Sequence, residues 1–291
     1  MPYLKSKTSQ LRRACYALGW AFLLTLTVSA QMQNTTELVT PRPDIGVINA
    51  ANQAKLKDIA PDAFSAGNFV ASNAVPLVYR LLTPSTRQAE KYPLVVIMHG
   101  SGEIGDDNKK QMNAFARSWA HPEVRTAFPA YVLAPQVPVR SANYFPSAQD
   151  TELMSIGSPA LLAVLELVKQ TIRQHAVDPD QVYIVGFSMG ASAAWNALLM
   201  HPKLFAAAVP FSGIAPERHF ARELSSTPIL IVHGTADTEN PIGADKKMFA
   251  AMQAQPVASV RFKEMEGLDH SIAPEMFFAH DWRNWLFAQR R

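Results

Sequence analysis

Two short apolar runs constrain the fold of this chain more than any other feature. Pro93–Met98 and Val182–Val185 consist of aliphatic, β-branched and aromatic residues and contain no charged side chain. A strand that faces water on one side alternates apolar and polar residues, whereas a strand buried on both faces of a parallel sheet reads as a continuous apolar run. The two runs therefore predict a parallel sheet that is covered by helices on both faces.

Other strand-like and helix-like segments alternate along the rest of the chain. The remaining predicted strands are Val75–Leu82, Tyr131–Ala134, Phe205–Pro210, Pro228–Val232 and Val260–Phe262, and the predicted helices are Leu153–His175, Ala191–Met200, Lys246–Gln253 and Phe277–Gln289. This alternation predicts an α/β fold with a mostly parallel sheet of about eight strands. No long insertion interrupts it, so we expect no large lid domain. The irregular stretch Gln136–Asp150 is interpreted as part of a substrate cleft.

The first 30 residues have the pattern of a secretory signal peptide. Basic residues precede an apolar stretch, Ala14–Val28, and small side chains at Val28 and Ala30 suit a signal peptidase. The apolar stretch has about 15 residues, fewer than the roughly 20 that span a bilayer. We expect cleavage after Ala30, a periplasmic or secreted protein, and no membrane attachment after cleavage. An uncleaved anchor, twin-arginine export and a lipidated Cys15 are the alternatives.

Composition narrows the chemistry of the remaining chain. Residues 31–68 lack sustained periodicity and are predicted to form a flexible leader or a loosely docked segment, which leaves 69–291 as the catalytic domain. The chain has 27 basic and 24 acidic residues, and several of the basic ones precede the apolar stretch, so net charge gives no support to a nucleic-acid partner. Cys15 is the only cysteine. Its loss with the signal peptide would exclude disulfides, thiol nucleophiles and thiolate metal ligands.

The segment Gly186–Gly190 predicts a nucleophile. Its sequence, Gly-Phe-Ser-Met-Gly, directly follows the buried run Val182–Val185 and precedes the predicted helix Ala191–Met200. Between a strand and a helix, such a segment is typical of a sharp turn that exposes a strained serine. Side chains in place of the glycines would collide within the turn, and the helix dipole favours negative charge beside Ser188. An ordinary glycine-rich turn before a helix is the alternative.

A serine hydroxyl needs a base that takes its proton. In this type of fold the nucleophile, acid and base follow one another in that order along the chain. Among the histidines from His233 onward, His233 precedes any suitable acid, and His280 falls within a predicted helix, where a capping or surface role is favoured. His270 lies in a loop after the predicted strand Val260–Phe262 and is the predicted base.

The acid is expected just beyond the preceding strand. Asp237 lies in the first turn after Pro228–Val232, where it would orient the imidazole and stabilise the imidazolium. Glu239 is the fallback acid. Asp245 begins the next predicted helix, where capping explains a carboxylate. Asp269 is adjacent to the predicted base in sequence, and adjacent side chains rarely point together.

A glycine-rich loop, His99–Gly105, follows the first apolar run. In this position it is expected to supply one backbone N–H of an oxyanion hole, and the residue after the nucleophile supplies the other. We assign these donors to Ser101 and Met189, with Gly100 and Gly102 as neighbours that could substitute for Ser101. A phosphate-binding loop is disfavoured because neither the Gly-Lys-Ser/Thr ending nor dinucleotide spacing is present.

Five segments together resemble the secreted esterase and "predicted peptidase" branch of the α/β-hydrolase superfamily. That branch is akin to dienelactone hydrolases, feruloyl and acetylxylan esterases and polyhydroxybutyrate depolymerases. The segments are Val75–Pro84, Tyr92–Asn108, Val177–Gly190, Phe205–Gly213 and His233–Asp237. The resemblance extends from about residue 69 to the end. It implies the α/β-hydrolase fold, a triad of Ser188, Asp237 and His270, a backbone oxyanion hole after His99, and no cofactor or metal.

The chain also departs from the pattern of that branch. Ala191 stands where a third glycine is usual, Ile104 where arginine is common, and Asn240-Pro241 where Val-Pro commonly follows the acid. These positions lie at the rim of the predicted turn and cleft. The departures leave the class of enzyme intact and the substrate open.

The sequence thus predicts a serine hydrolase that cleaves carboxylic esters through an acyl-enzyme, acting on a small-molecule or polysaccharide-linked ester. A serine peptidase or amidase on the same fold, and a non-catalytic secreted binding module, stay open as alternatives. Tyr144 and Phe145 are candidate cleft residues, with loop packing as the alternative, whereas Trp195 is expected to pack in the core. Asp106–Asn108 could coordinate calcium, but a solvated helix start is favoured.

Overall fold

The computed structural model describes residues 34–41, 43–57, 59, 63–86, 89–256 and 259–291. The predicted signal peptide, residues 1–30, lies outside these ranges. Within them, no helix has both the length and the apolar character needed to cross a bilayer.

A mostly parallel sheet, nine-stranded within the described ranges, forms the centre of the fold. In spatial order its strands are β1 (Thr35–Val39), β11 (Val260–Met265), β10 (Ile229–Gly234), β9 (Ala207–Phe211), β8 (Val177–Phe187), β4 (Tyr92–Met98), β5 (Tyr131–Gln136), β3 (Pro76–Leu82) and β2 (Ser65–Val70). In this spatial order, all neighbouring strands from β1 through β4 to β5 pair in parallel. Strand β3 pairs antiparallel with both of its neighbours, β5 and β2. The predicted α/β fold is confirmed, and each of the seven predicted strands overlaps one of the strands β3–β5 and β8–β11.

Apolar side chains on the two faces of this sheet pack into two separate cores. In β4, Leu94, Val96 and Met98 belong to one core, and Val95 and Ile97 belong to the other. Successive side chains of a strand point to opposite faces, so a continuous apolar run fills both cores at once.

Helices cover both faces of the sheet. They are α1 (Ile45–Lys57), α2 (Ala114–Ser118), α3 (Pro122–Ala127), α4 (Pro159–Gln174), α5 (Met189–Met200), α6 (Ala221–Leu224), α7 (Gly243–Gln253) and α8 (Asp281–Phe287), with 3₁₀ turns at Ser101–Glu103, Arg218–Phe220 and Pro274–Phe277. The predicted C-terminal helix Phe277–Gln289 is shorter than expected, because Phe277 ends a 3₁₀ turn and α8 begins only at Asp281.

The segment 31–68 contains regular elements that its sequence did not predict. Strand β1 pairs in parallel with β11, helix α1 follows it, and β2 begins at Ser65. The described part of this segment therefore contributes two strands to the sheet, which corrects the expectation of a loosely docked leader. Most residues of β1 and β2 are exposed, so neither strand carries the apolar alternation by which strands are recognised.

The predicted helix Leu153–His175 is wrong in its first part. Residues Leu153–Gly157 form strand β7, which pairs antiparallel with β6 (Ala142–Pro146) in a two-stranded sheet. Helix α4 begins only at Pro159, because the Ser158 hydroxyl accepts the Ala160 N–H as an N-cap and proline fits the first helical turn. The stretch 136–150, predicted to be irregular, contains β6, the strand that pairs with β7. The β6–β7 hairpin packs beside α5.

Candidate active site

Ser188 lies at the sharp turn between β8 and α5. Its backbone has φ 56° and ψ −119°, a left-handed conformation that costs a non-glycine residue energy. A Cβ on Gly186 would lie 2.2 Å from the Gly190 carbonyl oxygen, and one on Gly190 would lie 2.1 Å from that of Met98. Both glycines are therefore required by close approach of the backbone, and the turn holds the Ser188 side chain at the carboxyl edge of the sheet.

The structure brings the three predicted triad residues together. His270 Nδ1 donates to Asp237 Oδ2 at 2.7 Å, and His270 Nε2 lies 2.9 Å from Ser188 Oγ, whose hydroxyl donates to it. The loops that carry these residues follow β8, β10 and β11, which are parallel and so end at the same edge. The His270 ring packs against Phe187, with 5.0 Å between ring centroids.

The alternative acids take other positions. The Glu239 carboxylate lies 3.8 Å from Nε2 of His270 rather than beside Nδ1, and its side chain is 75% exposed. The Asp269 carboxylate accepts a hydrogen bond from the Ser271 hydroxyl. The alternative base, His280, precedes α8 and lies 3.7 Å from Glu123. None of these contacts is the hydrogen bond to Nδ1 that the acid of a triad makes.

Asp237 is buried and held by several donors. Oδ1 accepts the backbone N–H groups of Glu239 and Asn240, at 3.0 and 2.9 Å. Oδ2 faces His270 at 2.7 Å and His233 Nε2 at 3.3 Å. Burial raises the pKa of this carboxyl, but the hydrogen bonds from the two histidines and from Asn240 outweigh it and lower the pKa to about 2. The carboxylate is therefore charged at neutral pH.

Sequence reasoning missed two residues behind this carboxylate. His233 is fully buried and lies 2.9 Å from Asp245 Oδ2 through its Nδ1 atom. The sequence predicts a capping role for Asp245, and the residue does lie in the first turn of α7. Its side chain points to the buried histidine instead, so the capping prediction is wrong. The available signal was the position of His233 at the end of a wholly apolar strand, because a buried polar side chain there needs partners.

Asn240, one of the departures from the family pattern, links several parts of the site. Its side-chain amide donates to the Ser212 carbonyl at 2.8 Å and lies 3.4 Å from the Tyr144 hydroxyl. Its own carbonyl oxygen lies 2.8 Å from His233 Nε2. Ser212 has φ 51°, so the bond from Asn240 helps to hold a strained residue beside the acid loop.

The other two departures are accommodated locally. A Cβ on Gly213 would lie 2.7 Å from the Ala191 Cβ. Glycine at 213 therefore leaves room for the methyl group that replaces the usual glycine. Ile104 packs, partly buried, against the core that lies on the α4 and α5 face of the sheet.

The two predicted oxyanion donors each begin a helical turn. Ser101 is the first residue of a 3₁₀ turn and Met189 is the first residue of α5, and N–H groups at such positions have no acceptor within their own helix. A Cβ on Gly100 would lie 3.7 Å from the Ser188 Cβ. The 99–103 loop therefore runs directly beside the nucleophile.

The buried His99 side chain holds the 99–103 loop in place through two hydrogen bonds. Its Nε2 accepts the Val137 N–H at 3.1 Å, and its Nδ1 donates to the Gly100 carbonyl at 2.7 Å. Burial lowers the pKa of His99. An imidazole with one accepting and one donating nitrogen is neutral, so His99 acts here as an uncharged support.

The candidate cleft residues differ in their surroundings. The Tyr144 hydroxyl lies 3.1 Å from Ser192 Oγ, and its ring lies under the Arg140 guanidinium at 4.8 Å. Phe145 is 43% exposed on the other face of the β6–β7 hairpin. The structure thus places Tyr144 near the acid loop and Phe145 toward solvent. Trp195 is fully buried in the core, as expected.

The acidic segment 106–108 forms a hydrogen-bonded turn rather than the start of a helix. Asp107 Oδ1 accepts the N–H groups of Lys109 and Lys110 and the side-chain amide of Gln136. Helix α2 begins only at Ala114. Across the described part of the chain, no group of three or more His, Cys, Asp or Glu side chains is arranged to hold a metal ion.

Comparison with known proteins identifies related chains. The family model described as Phospholipase/Carboxylesterase matches residues 84–281. A protein of Oryza sativa subsp. japonica named "Probable carboxylesterase" is 32% identical over 68% of this chain and 78% of its own length. A protein of Arabidopsis thaliana named "Probable carboxylesterase SOBER1-like" is 31% identical over 65% of this chain and 76% of its own.

Among solved structures, a thermostable esterase superposes with a TM-score of 0.70 at 30% sequence identity. The match covers 79% of this chain and 64% of that chain. This chain therefore spans somewhat less than two thirds of the esterase structure.

Proposed function

Since the chain belongs to the phospholipase/carboxylesterase family of α/β-hydrolases and is a carboxylic ester hydrolase, we propose that it works through a Ser188–His270–Asp237 triad and an acyl-enzyme. The observation that carries this proposal is the continuous path of hydrogen bonds from Asp237 through His270 to Ser188 Oγ. Nucleophile, base and acid are each held in the relation that proton transfer requires.

The reaction proceeds in two halves. As Ser188 Oγ attacks the ester carbonyl, its proton passes to His270 Nε2, and the negative charge that develops on the carbonyl oxygen is stabilised by the N–H groups of Ser101 and Met189. The tetrahedral intermediate then expels the alcohol, which takes the proton from His270. Water attacks the acyl-enzyme in the same way, with His270 as base, and releases the carboxylic acid.

The proposed substrate is a small-molecule ester or an ester that is linked to a polysaccharide. The hairpin face beside the acid loop, with Tyr144 near Asn240, supports a cleft on this side of Ser188. A panel of p-nitrophenyl esters of increasing acyl length, methyl ferulate and acetylated xylan separates these substrates. Paired ester and anilide derivatives of one acyl group measure the preference for esters over amides.

Substitution of the nucleophile tests the triad. With p-nitrophenyl butyrate, Ser188→Ala is expected to lower kcat by about 10⁴-fold to 10⁶-fold, because both halves of the reaction require the hydroxyl. Ser226→Ala is the matched control, since Ser226 is an exposed serine whose hydroxyl donates to the Glu223 carbonyl, and it is expected to retain wild-type turnover. Undiminished turnover by Ser188→Ala, or fluorophosphonate labelling at another residue, would overturn the proposal.

We also propose that the enzyme acts outside the cytoplasm, from the signal-peptide pattern of residues 1–30. In a Gram-negative host, the processed protein is expected in the periplasmic or medium fraction, with its N-terminus at Gln31. An unprocessed chain in the cytoplasmic fraction would contradict this location. Changing Ala30 to Leu is expected to block processing, because the peptidase admits only small side chains there.

A further inference from the structure

We propose that His233 is a buried imidazolium, protonated on both ring nitrogens, and that it acts as a positioning residue that sets the pH at which the triad becomes active. This inference rests on the proposed triad for its effect on catalysis. Its structural part, the protonation state of His233, stands on the contacts of the histidine itself.

Both ring nitrogens of His233 face hydrogen-bond acceptors. Nδ1 lies 2.9 Å from Asp245 Oδ2, and Nε2 lies 2.8 Å from the Asn240 carbonyl oxygen and 3.3 Å from Asp237 Oδ2. A neutral imidazole has one donor nitrogen and one acceptor nitrogen. With Asp245 ionised, it would place a lone pair against an acceptor on one side, whereas an imidazolium satisfies both sides.

The state of Asp245 supports the same conclusion. Its side chain is fully buried, and its second oxygen, Oδ1, has no hydrogen-bond partner among the described residues. A buried carboxylate without compensation is very costly. Among the described residues, His233 is the basic side chain that forms an ion pair with Asp245. An imidazolium at this position and the buried carboxylate would stabilise each other.

The electrostatic balance around His233 agrees with the geometry. Burial alone lowers the pKa of a histidine, but the bonds to Asp237 and Asp245 and to the Asn240 carbonyl raise the pKa of His233 to about 9. Glu264, its neighbour on β11, is paired with Lys246.

The charge of His233 bears directly on the base. Asp237 Oδ2 lies between the two histidines, so a cation at 233 offsets part of the carboxylate charge that His270 experiences. Among the described residues, Asp237 and the exposed Glu239 are the acidic side chains in ion-pair range of His270, and Phe187 packs on its ring. Without the cation at 233, protonation of His270 becomes more favourable, and hydrolysis is lost at a higher pH.

Histidine NMR tests the protonation state without using activity. In the Ser188→Ala protein labelled with ¹⁵N-histidine, both ring nitrogens of His233 are expected to show protonated shifts from pH 5 to 8. The signals are assigned by their absence from His233→Gln. The competing arrangement, a neutral His233 beside a protonated Asp245, gives Nδ1 the shift of an unprotonated nitrogen at pH 7, and that result overturns the proposal.

The pH profile of kcat/KM tests the effect on catalysis. His233→Gln keeps a hydrogen-bond donor and removes the charge, and the acidic limb is expected to move up by about one pH unit. His99→Gln, the matched control, replaces a buried neutral histidine and is expected to leave that limb in place even if turnover falls. An unmoved limb in a folded His233→Gln overturns the catalytic part. If His233→Gln does not fold, Asp245→Asn, which removes one support of the cation, takes its place, and the NMR titration of His233 in this variant is compared with that in wild type.

The outcomes also separate this inference from the proposed function. Full activity of Ser188→Ala would end the triad assignment and leave the imidazolium result standing. A neutral His233 in an enzyme that requires Ser188 would end the inference and leave the triad standing. In the Asp245→Asn titration, His233 is expected to lose its proton at a lower pH than in wild type, and an unchanged titration contradicts the role of Asp245.

Discussion

The same dipeptide, His-Gly, stands at the carboxyl ends of two strands of the sheet, and the two histidines differ in charge. His99 follows β4 and His233 ends β10, and both are buried. His99 receives one backbone N–H and donates to one carbonyl, whereas His233 faces a carbonyl and two carboxylates. The protonation state of each histidine is therefore determined by the loop that packs against it.

Each of these two loops is also organised by one buried amide side chain. Gln136 donates to the Glu103 carbonyl and to Asp107, and accepts the Asn108 N–H at 2.6 Å. Asn240 plays the corresponding part for the acid loop. The oxyanion side of the site thus rests on the hydrogen bonds of a neutral imidazole and a neutral amide, whose charged partner, Asp107, is exposed. The acid side rests on a buried ion cluster, in which changes of charge have larger effects.

Removal of the two histidines gives the largest expected difference. His233→Leu leaves Asp237 and Asp245 buried without the cation that both contact, and we expect a loss of about 3–5 kcal/mol in the free energy of unfolding. His99→Leu leaves the Val137 N–H unpaired and removes one of the two hydrogen bonds to the Gly100 carbonyl, for a loss of about 1–3 kcal/mol. Urea unfolding at pH 7 measures both. Adding Asp245→Leu to His233→Leu is expected to restore part of the loss, and equal losses at 99 and 233 would contradict the comparison.

The two histidines are also expected to give stability opposite dependences on pH. The pKa of His233 is raised to about 9 in the folded protein, above its unfolded value of about 6.5. Its contribution is therefore fully present below pH 6.5 and is lost as the pH rises through about 9. The pKa of His99 is lowered, so its contribution is present above pH 6.5 and is lost as the pH falls below that value.

Urea unfolding from pH 5 to 9.5 measures these contributions as differences between wild type and each glutamine variant. The wild-type advantage over His233→Gln is expected to shrink by on the order of 2 kcal/mol toward pH 9. The advantage over His99→Gln is expected to shrink toward pH 5 instead. If both advantages shrink in the same direction of pH, the two histidines do not differ in charge.

The difference between the two loops also explains what the sequence could predict. The strand runs, the glycine-flanked Ser188 and the order of the proposed acid and base are local or ordered patterns. The sheet and the three residues that the structure brings together at this site were therefore within reach of the sequence. Asp245 was not, because its role depends on α7 folding back over the end of β10. A carboxylate in the first turn of a helix has a sufficient local explanation, and the tertiary contact overrides it.

The hairpin was missed for a related reason. Leu153, Met154 and Ile156 fit the apolar spacing of the helix that follows as well as they fit a strand. Only the cap at Ser158 separates the two elements, and the partner strand β6 is partly exposed. Short exposed strands carry little periodic information, which also accounts for β1 and β2.

The two amide side chains give a smaller and more selective effect. Gln136→Ala removes three hydrogen bonds beside the oxyanion loop, and we expect about a tenfold fall in kcat with the acidic limb of the profile unmoved. Asn240→Ala keeps the carbonyl that faces His233 and the N–H that faces Asp237, so a smaller fall is expected. Steady-state kinetics from pH 5 to 9 distinguish them. A shift of the limb in Gln136→Ala would show that the neutral loop also controls charge.

Tyr144→Phe is expected to have the smallest effect, and it tests whether the ion cluster extends to the β6–β7 hairpin. The hydroxyl lies 3.1 Å from Ser192 Oγ and 3.4 Å from the Asn240 amide, so its removal weakens neutral hydrogen bonds and leaves the ring in place. We expect a loss of about 0.5–1 kcal/mol in stability, with the acidic limb unchanged. Thermal unfolding and the pH profile measure both quantities. A limb that moves would mean that the Tyr144 hydroxyl orders Asn240 tightly enough to change the contact between Asn240 and His233, and the ion cluster would then extend to the hairpin.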